Sequence, residues 1–373
     1  MLFLKYDKRN YRDFDWALLA IVLSICAIGI INIYSAGHSY GGAGEQSPFY
    51  IKQLLWILLG LIAMIVAFLI DYRFLARGAY VIFGITIALL LLVHLFGYTM
   101  HGSQRWISIG GLVIQPSELM KIAIILVLAR YFEDHKSAKP YKLRQLFIPA
   151  LIVLLPFVLI LKQPDLGTAL VILLISASVI FFIGVNWKSL LIAFSGVLLS
   201  VPIVWHFLKD YQKERLIIFF NPERDPLGAG YHIIQSMIAI GSGGLLGKGF
   251  LSGSQTQLKF LPEQQTDFVF SVFAEEWGFI GGFILLILFM SLILWAFKIA
   301  LHARDLLGTI IAFGIASLLS WQVCINIGMV LGVLPVVGIP LPFLSYGGSA
   351  MVSLMAGIGL LMNINARRFI MHK

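Results

Sequence analysis

Four carboxylates fall within one stretch, "PEQQTDFVFSVFAEEWGFIGG" (262–282): Glu263, Asp267, Glu275 and Glu276. From Phe268 onward this stretch is apolar enough for a bilayer, where an ionisable group is costly and a functional candidate by default. A carboxylate at a water-accessible boundary can take a proton from a hydroxyl as a general base. One placed deeper needs a counter-charge or hydrogen-bond partners. On a helix starting near Asp267, Glu275 lies about 12 Å deeper and roughly 80° round, with Glu276 on nearly the opposite face. The four cannot serve one site. Asp267 is therefore the candidate for chemistry, while Glu275 and Glu276 are expected to meet polar groups on neighbouring helices or a wet cavity. A second ionisable pair, Glu118 and Lys121 in "QPSELMK", stands three residues apart on one helical face. Each can offset the other's desolvation there, whether in service of a site or only of helix packing.

The elements that position these groups follow from composition. Hydrophobic residues make up 60% of the 373-residue chain and charged residues 12%, and mean hydropathy is +0.93. This is the composition of an all-α integral membrane protein. Apolar stretches recur at 14–34, 54–70, 78–96, 116–132, 146–161, 166–185, 190–208, 268–297, 306–331 and 348–363. They predict about ten transmembrane helices in a single polytopic domain, residues 1–373. Lys5, Lys8, Arg9 and Arg12 precede the first stretch with no A-x-A site behind it, so it reads as a retained helix and not a signal peptide. The net charge of +9 is scattered through short loops with no basic face interleaved with aromatics, which excludes nucleic acid as the partner. The loop cations at 73–77, 136–144, 188, 298–304 and 367–373 place both termini on the cytoplasmic side. The other face then receives 97–115, the turn 162–165, a long extracytoplasmic loop between helices 7 and 8 (about 209–267), and the Pro-rich "LPVVGIPLPFLSYGG".

Four outward-facing helix starts carry recognisable signals: "IQPSE", "KQPDLGT", "QTDF" and "LSYGGS". Pro116 and Pro164 suit a first turn, and Ser117, Glu118 and Asp165 suit its free N–H groups. Each is explained by capping alone. Together, on one side of the membrane, the four positive helix ends would form an anion-attracting floor. Other motifs fail. "GSGGLLGKG" (241–249) has Gly249 where a phosphate loop needs Ser or Thr, and Leu246 where G-x-G-x-x-G needs its last glycine, so it reads as a Gly-rich re-entrant or substrate-contacting turn. Cys26 and Cys324 both lie in apolar stretches, and the eight His residues have no ligand spacing; no metal site is expected. Ser345-Tyr346 lacks the flanking glycines of a nucleophile elbow.

Taken together and in order, "QPSELMK", "QPDLGT", "NPERDPLGAGYHIIQSMIAIGSGGLLGKG", "FLPEQQTDFVFSVFAEEWGFIG" and "GIPLPFLSYGGS" resemble the SEDS family of shape, elongation, division and sporulation proteins over nearly the whole chain. "DPLGAGYHIIQS" and the short N-terminal extension resemble its elongation branch more than its division branch. The resemblance implies the ten-helix SEDS fold in the bacterial cytoplasmic membrane and a peptidoglycan glycosyltransferase acting during cell elongation. That enzyme would polymerise lipid II, a diphosphate-linked disaccharide peptide on a polyprenyl tail, on the outer face. It would work with a class B penicillin-binding protein, a transpeptidase, and with other membrane proteins of the elongation complex. Where the family often has His before its essential Asp, this chain reads Gln264-Gln265-Thr266-Asp267.

Asp267 is then the base that takes the proton of the acceptor GlcNAc 4-hydroxyl as it attacks the donor MurNAc anomeric carbon. Lys121 would position it by an ion pair, balanced by Glu118. Arg105, Trp106, Arg215 and Lys248 would contact diphosphate or sugar, or else serve as loop-anchoring cations and an interfacial aromatic. Gln235, Asp165, Glu263 and Ser345 complete the expected substrate-binding set through matching family motifs. No cofactor is expected; assistance by a divalent cation, Mg or Mn, is left open by the residues. The competing reading is a transporter, such as a lipid II flippase, which intramembrane charges and Gly- and Pro-interrupted helices would also suit. Against it stand the absence of an evident internal repeat and the crowding of charges toward the outer third.

Overall fold

The structure, a computed structural model, describes residues 14–38, 49–100, 103–109, 112–207, 213, 218, 225, 229–258, 260–261 and 263–368. The basic opening and Arg215 lie outside the described residues. Long helices form where the apolar stretches predicted them: α1 (Trp16–Ala36), α2 (Phe49–Leu69), α4 (Ala79–Phe96), α5 (Pro116–Asp134), α6 (Phe147–Lys162), α7 (Leu166–Ile183) and α8 (Trp187–Phe207), then α11 (Val269–Leu301), α12 (Leu306–Val330) and α13 (Gly348–Ala366). Eight spans among the described residues are long and apolar enough to cross a membrane. α5 is not one of them, because Glu118, Lys121, Arg130, Glu133 and Asp134 lower its apolarity. Its buried flank shows that it is nonetheless central: Met120, Ile124, Val127, Leu128 and Phe132 are fully enclosed between α4, α7, α12 and α13.

Several shorter elements were not expected as such. A six-residue helix, α3 (Tyr72–Arg77), turns the chain between α2 and α4. The segment 97–115, read from sequence as a plain loop, holds an antiparallel three-stranded sheet: β1 (Tyr98–Met100), β2 (Ser103–Ile109) and β3 (Leu112–Ile114), in that order. Strands of three residues are too short for a period-2 signal, and "SQRWISI", with three polar residues followed by Trp106-Ile107, does not alternate. The described part of the long segment before α11 contains α9 (Ala229–Ser242) and the short α10 (Ser254–Gln257). α9 packs against α11 and α12.

Without a hydrophobic drive between helices in lipid, small residues let backbones approach. α2 and α13 meet in this way: a Cβ on Gly359 would lie 2.2 Å from the Met64 carbonyl, and one on Gly60 2.8 Å from Met355 Cγ. A different use of glycine breaks α11 at Gly278, whose φ of 64° and ψ of −162° leave the helical region. The freed backbone groups are taken up by the Gly-rich turn 241–249. Lys248 and Gly249 N–H donate to the carbonyls of Glu275 and Glu276 at 3.0 Å, and Phe279 and Ile280 N–H donate to Gly244 and Leu245 carbonyls at 2.8 and 3.1 Å. Side chains are barred at the crossing, because a Cβ on Gly247 would lie 2.1 Å from the Glu276 carbonyl and one on Gly278 2.2 Å from the Gly247 nitrogen. The motif that fails as a phosphate loop is a splint on a broken helix.

The opposite end of the bundle is latched by Asp305, the N-cap of α12. Its carboxylate accepts from Gly308 N–H (2.8 Å), Tyr72 hydroxyl (2.9 Å) and Arg73 Nη2 (2.7 Å). Burial alone would raise the Asp305 pKa, but these donors, with the Arg73 charge, lower it below the usual carboxylate value. Because the folded-state pKa is depressed, the stabilisation is present above the unfolded value of about 3.9 and is lost as pH falls through the folded one. Replacing Asp305 by Asn keeps a capping oxygen but removes the charge paired with Arg73, so it should lower thermal stability at pH 7 by up to about 1 kcal/mol. The gap from wild type should close as unfolding is followed in detergent to below about pH 4. A gap independent of pH would show that the carboxylate charge is not what holds the latch.

Candidate functional site

Asp267 lies in the turn 263–268, just before α11 begins at Val269. The turn is closed by its own backbone, with Thr266 and Phe268 N–H both donating to the Glu263 carbonyl and Thr266 hydroxyl donating to Glu263 Oε2 (3.1 Å). It is then gripped from three other elements. Asn326 of α12 donates from one amide nitrogen to the Asp267 carbonyl (2.9 Å) and to the Ile339 carbonyl (2.7 Å). Ser345 hydroxyl donates to the Thr266 carbonyl (2.6 Å) while accepting from Leu341 N–H (2.8 Å). Tyr346 N–H donates to the Gln265 carbonyl, and Gln264 donates to the Ala36 carbonyl at the end of α1 (2.6 Å). Two residues on from Asp267, Asn32 of α1 donates to the Val269 carbonyl (2.7 Å).

The backbone of this turn is thus fixed while the Asp267 side chain stays half-buried. It lies against Gly338, where a Cβ would come 3.3 Å from Asp267 Oδ2 and where φ is +71°. A side chain at 338 would be strained and would crowd the carboxylate. Phe343, with φ of 62° in the same Pro-rich loop, and Glu263, with φ of 46°, hold left-handed backbone on either side of the site. Such conformations persist only where surrounding contacts impose them.

The four helix starts singled out in the sequence do meet. Gln115, the N-cap of α5, donates its backbone N–H to Ser349 Oγ in the first turn of α13 (2.9 Å). Its side chain donates to Asp165 Oδ2 (3.2 Å). Asp165 caps α7 by accepting from Thr168 N–H (3.1 Å). Gly167, in the first turn of α7, packs so closely on the Pro-rich loop that a Cβ would lie 2.4 Å from the Val337 carbonyl. Through Ser345 and Tyr346 the same loop reaches the start of α11. The loop 331–347 is the hub at which the N-termini of α5, α7, α11 and α13 converge.

The other predicted residues divide by what they touch. Arg105 on β2 donates to the carbonyls of Gln163 (3.3 Å) and Pro164 and sits 3.6 Å from Asp165 Oδ1, so it ties the small sheet to the start of α7. Trp106 follows it, half-buried, paired in register with Tyr98. Lys248 is the counter-charge of Glu275, at 2.7 Å, and that carboxylate also accepts from Gln255 N–H (2.9 Å), Thr256 N–H (3.2 Å) and Thr256 hydroxyl (2.9 Å). Both cations are loop anchors. Glu276 faces the other way and accepts from Ser35 hydroxyl of α1. Gln235 is half-buried on α9, beside Ser236, whose hydroxyl lies 2.8 Å from that of Ser271 in the first turn of α11.

Lys121 and Glu118 form a fully enclosed pair at 2.7 Å within α5. No ion pair joins Lys121 to Asp267 among the described residues, so the direct contact expected between them is not made. Asn326, Gln115, Asn32 and Gln53, which donates to the Ser345 carbonyl (3.1 Å), were not singled out in the sequence. Each is an uncharged amide in or beside an apolar stretch, a signal as readable as a charge once amides are counted as costly there.

Comparison with known proteins places this architecture. A family model described as a cell cycle protein, covering FtsW, RodA and SpoVE, matches residues 15–369. The peptidoglycan glycosyltransferase MrdB of Escherichia coli K12 is 42% identical, over 98% of both chains. The peptidoglycan glycosyltransferase RodA of Treponema pallidum is 38% identical, over 96% of this chain and 99% of that one. Among solved structures, a chain from a peptidoglycan synthase complex described as coordinating polymerization and crosslinking superposes with a TM-score of 0.80 at 38% identity, covering 95% of this chain and 98% of that one.

Ser345 holds two buried backbone groups at once, so its loss should be felt beyond one average hydrogen bond. Ser345→Ala should cost about 1–3 kcal/mol, because Leu341 N–H and the Thr266 carbonyl lose their partner together. Thermal unfolding of the purified variant checks this, and an unchanged midpoint would mean that the clamp on the Asp267 turn is dispensable.

Proposed function

Since the chain belongs to the FtsW, RodA and SpoVE family of cell cycle proteins and is a multi-pass membrane protein, we propose that it is a peptidoglycan glycosyltransferase of the bacterial cytoplasmic membrane. It polymerises lipid II into glycan strands on the outer face during cell elongation, with a class B penicillin-binding protein crosslinking the product. The observation that carries this reading is the mounting of Asp267: a backbone held from α12, from the Pro-rich loop and from its own turn, with a half-buried carboxylate that no side chain at Gly338 covers.

In this reading the Asp267 carboxylate accepts the proton of the acceptor's GlcNAc 4-hydroxyl while the oxygen bonds to the anomeric carbon of the donor's MurNAc. The bond from that carbon to undecaprenyl diphosphate breaks, and the lipid diphosphate departs. A single displacement inverts the anomeric configuration and requires no second carboxylate as nucleophile. The diphosphate is dianionic or more, and the converging starts of α5, α7, α11 and α13 supply the positive potential that favours it at that end of the bundle. Arg105, with Trp106 beside it, borders the same floor. Lys121 and Glu118 act from within α5 as a neutral buried pair, supporting the floor and not touching Asp267. Both are positioning residues.

Replacing Asp267 by Asn keeps the shape and removes the base. Purified Asp267→Asn protein, assayed with its transpeptidase partner on lipid II in detergent, should form glycan strands at least about 100-fold more slowly than wild type. A variant that polymerises at the wild-type rate would refute the base assignment. Wild-type protein that makes no glycan in detergent, where no membrane separates two compartments, would instead favour lipid II transport.

A further inference from the structure

Three buried polar groups have unused hydrogen-bonding atoms and, from helix register, share one layer. Ser117 Oγ, Glu118 Oε2 and both carboxamide atoms of Gln322 have no partner among the described residues. Gln322 is 0% exposed, Ser117 1% and Glu118 3%. Buried polar atoms in native proteins are satisfied, so each such atom calls for a partner. α5 runs down from the floor, starting at Gln115 beside Asp165, and α12 runs up to it, from the Asp305 latch to Asn326 beneath Asp267. Their register is fixed where Gly314 rests on Ile125, with a Cβ on Gly314 falling 2.6 Å from Ile125 Cγ2.

From that contact Gln322 is eight residues up α12, and Ser117 and Glu118 are eight and seven residues up α5, so all lie about 10–12 Å toward the floor. Glu118 is within about 20° of the face that Ile125 presents to α12, whereas Ser117 is about 80° round, on the side of the α5–α12 plane opposite to Gln322. Gln322 is turned about 80° from Gly314 and stops about 40° short of Asn326. It therefore looks into the wedge between α5 and the turn that carries Asp267.

We propose that Gln322 is a positioning residue for the glycosyl transfer, acting through one buried water shared with Glu118. The water donates to Glu118 Oε2, the oxygen that Lys121 leaves open, and accepts from the Gln322 carboxamide N–H. Two partners fall within the range usual for a buried water. The bridge joins the Lys121–Glu118 pair to α12 one helical turn below Asn326, which holds the Asp267 carbonyl. In this way the intrahelical ion pair bears on the base without contacting it. This inference rests on the glycosyltransferase reading for its kinetic consequence but not for the water itself.

Two measurements on the full-length complex with its transpeptidase separate these claims. A high-resolution structure of wild type should show water density within about 3.2 Å of Glu118 Oε2 and the Gln322 carboxamide, and none there in Gln322→Met. In the polymerisation assay Gln322→Met should lower the rate at saturating lipid II at least 10-fold with the half-saturating concentration unchanged. The Gln322→Met/Glu118→Gln double variant should be no slower than the slower single variant, as members of one unit behave. Absence of the density in wild type, a wild-type rate in Gln322→Met, or losses that multiply in the double variant would each overturn the proposal. Failure of wild type to polymerise would count against the glycosyltransferase reading alone, because the density test stands without it.

Discussion

In hydrocarbon, a backbone N–H or carbonyl has no water to turn to, and any departure from helix has to be repaid by protein. This chain departs from helix in two places that matter: at Gly278 in α11 and along the loop 331–347. In each case a second irregular segment supplies the missing partners. The Gly-rich turn serves the first, through four backbone hydrogen bonds, and the turn 263–268 with Asn326 and Ser345 serves the second. Irregular backbone is therefore not loose backbone here. It is cross-braced, and the carboxylate proposed as the base sits on the most heavily braced piece.

The same constraint sorts the charges. Every deep carboxylate has a separate means of compensation: Glu118 has Lys121, Glu275 has Lys248 and two backbone N–H groups, and Glu276 has the Ser35 hydroxyl. Breaking such a pair by removing one member leaves an uncompensated charge, which typically costs 3–5 kcal/mol. Asp267 differs because it stands outside the helix, at the end of the bundle where substrate would approach. Its distinction from the other three is one of position and not of chemical type.

The ten long helices were legible in the sequence because apolar stretches of bilayer length leave no other reading, and their ends fell within a few residues of the observed ones. Four helix starts were legible too, as "IQPSE", "KQPDLGT", "QTDF" and "LSYGGS". Their convergence was not, since it depends on Gln115 bonding to both Asp165 and Ser349, and on Gly167 lying against Val337. Helix geometry marked Glu275 and Glu276 as supports but could not say that the splint turn would supply Lys248. Lys121 was expected to reach Asp267; the structure spends its charge three residues back on Glu118, the shorter reach. Amides were overlooked because reading by charge passes over them, although Asn326 does more to hold the Asp267 turn than any charged residue in α5.

The break at Gly278 sets the aim of what precedes it. It isolates Val269 to Trp277 as a nine-residue strut, pinned at its upper end by Asn32 and the Asp267 turn and at its lower end by residues 244–249. Such a strut takes the orientation that its two ends dictate. A change in "GSGGLLGKG" would therefore alter where the strut points, so that glycines outside the proposed site share in aiming the carboxylate proposed as its base.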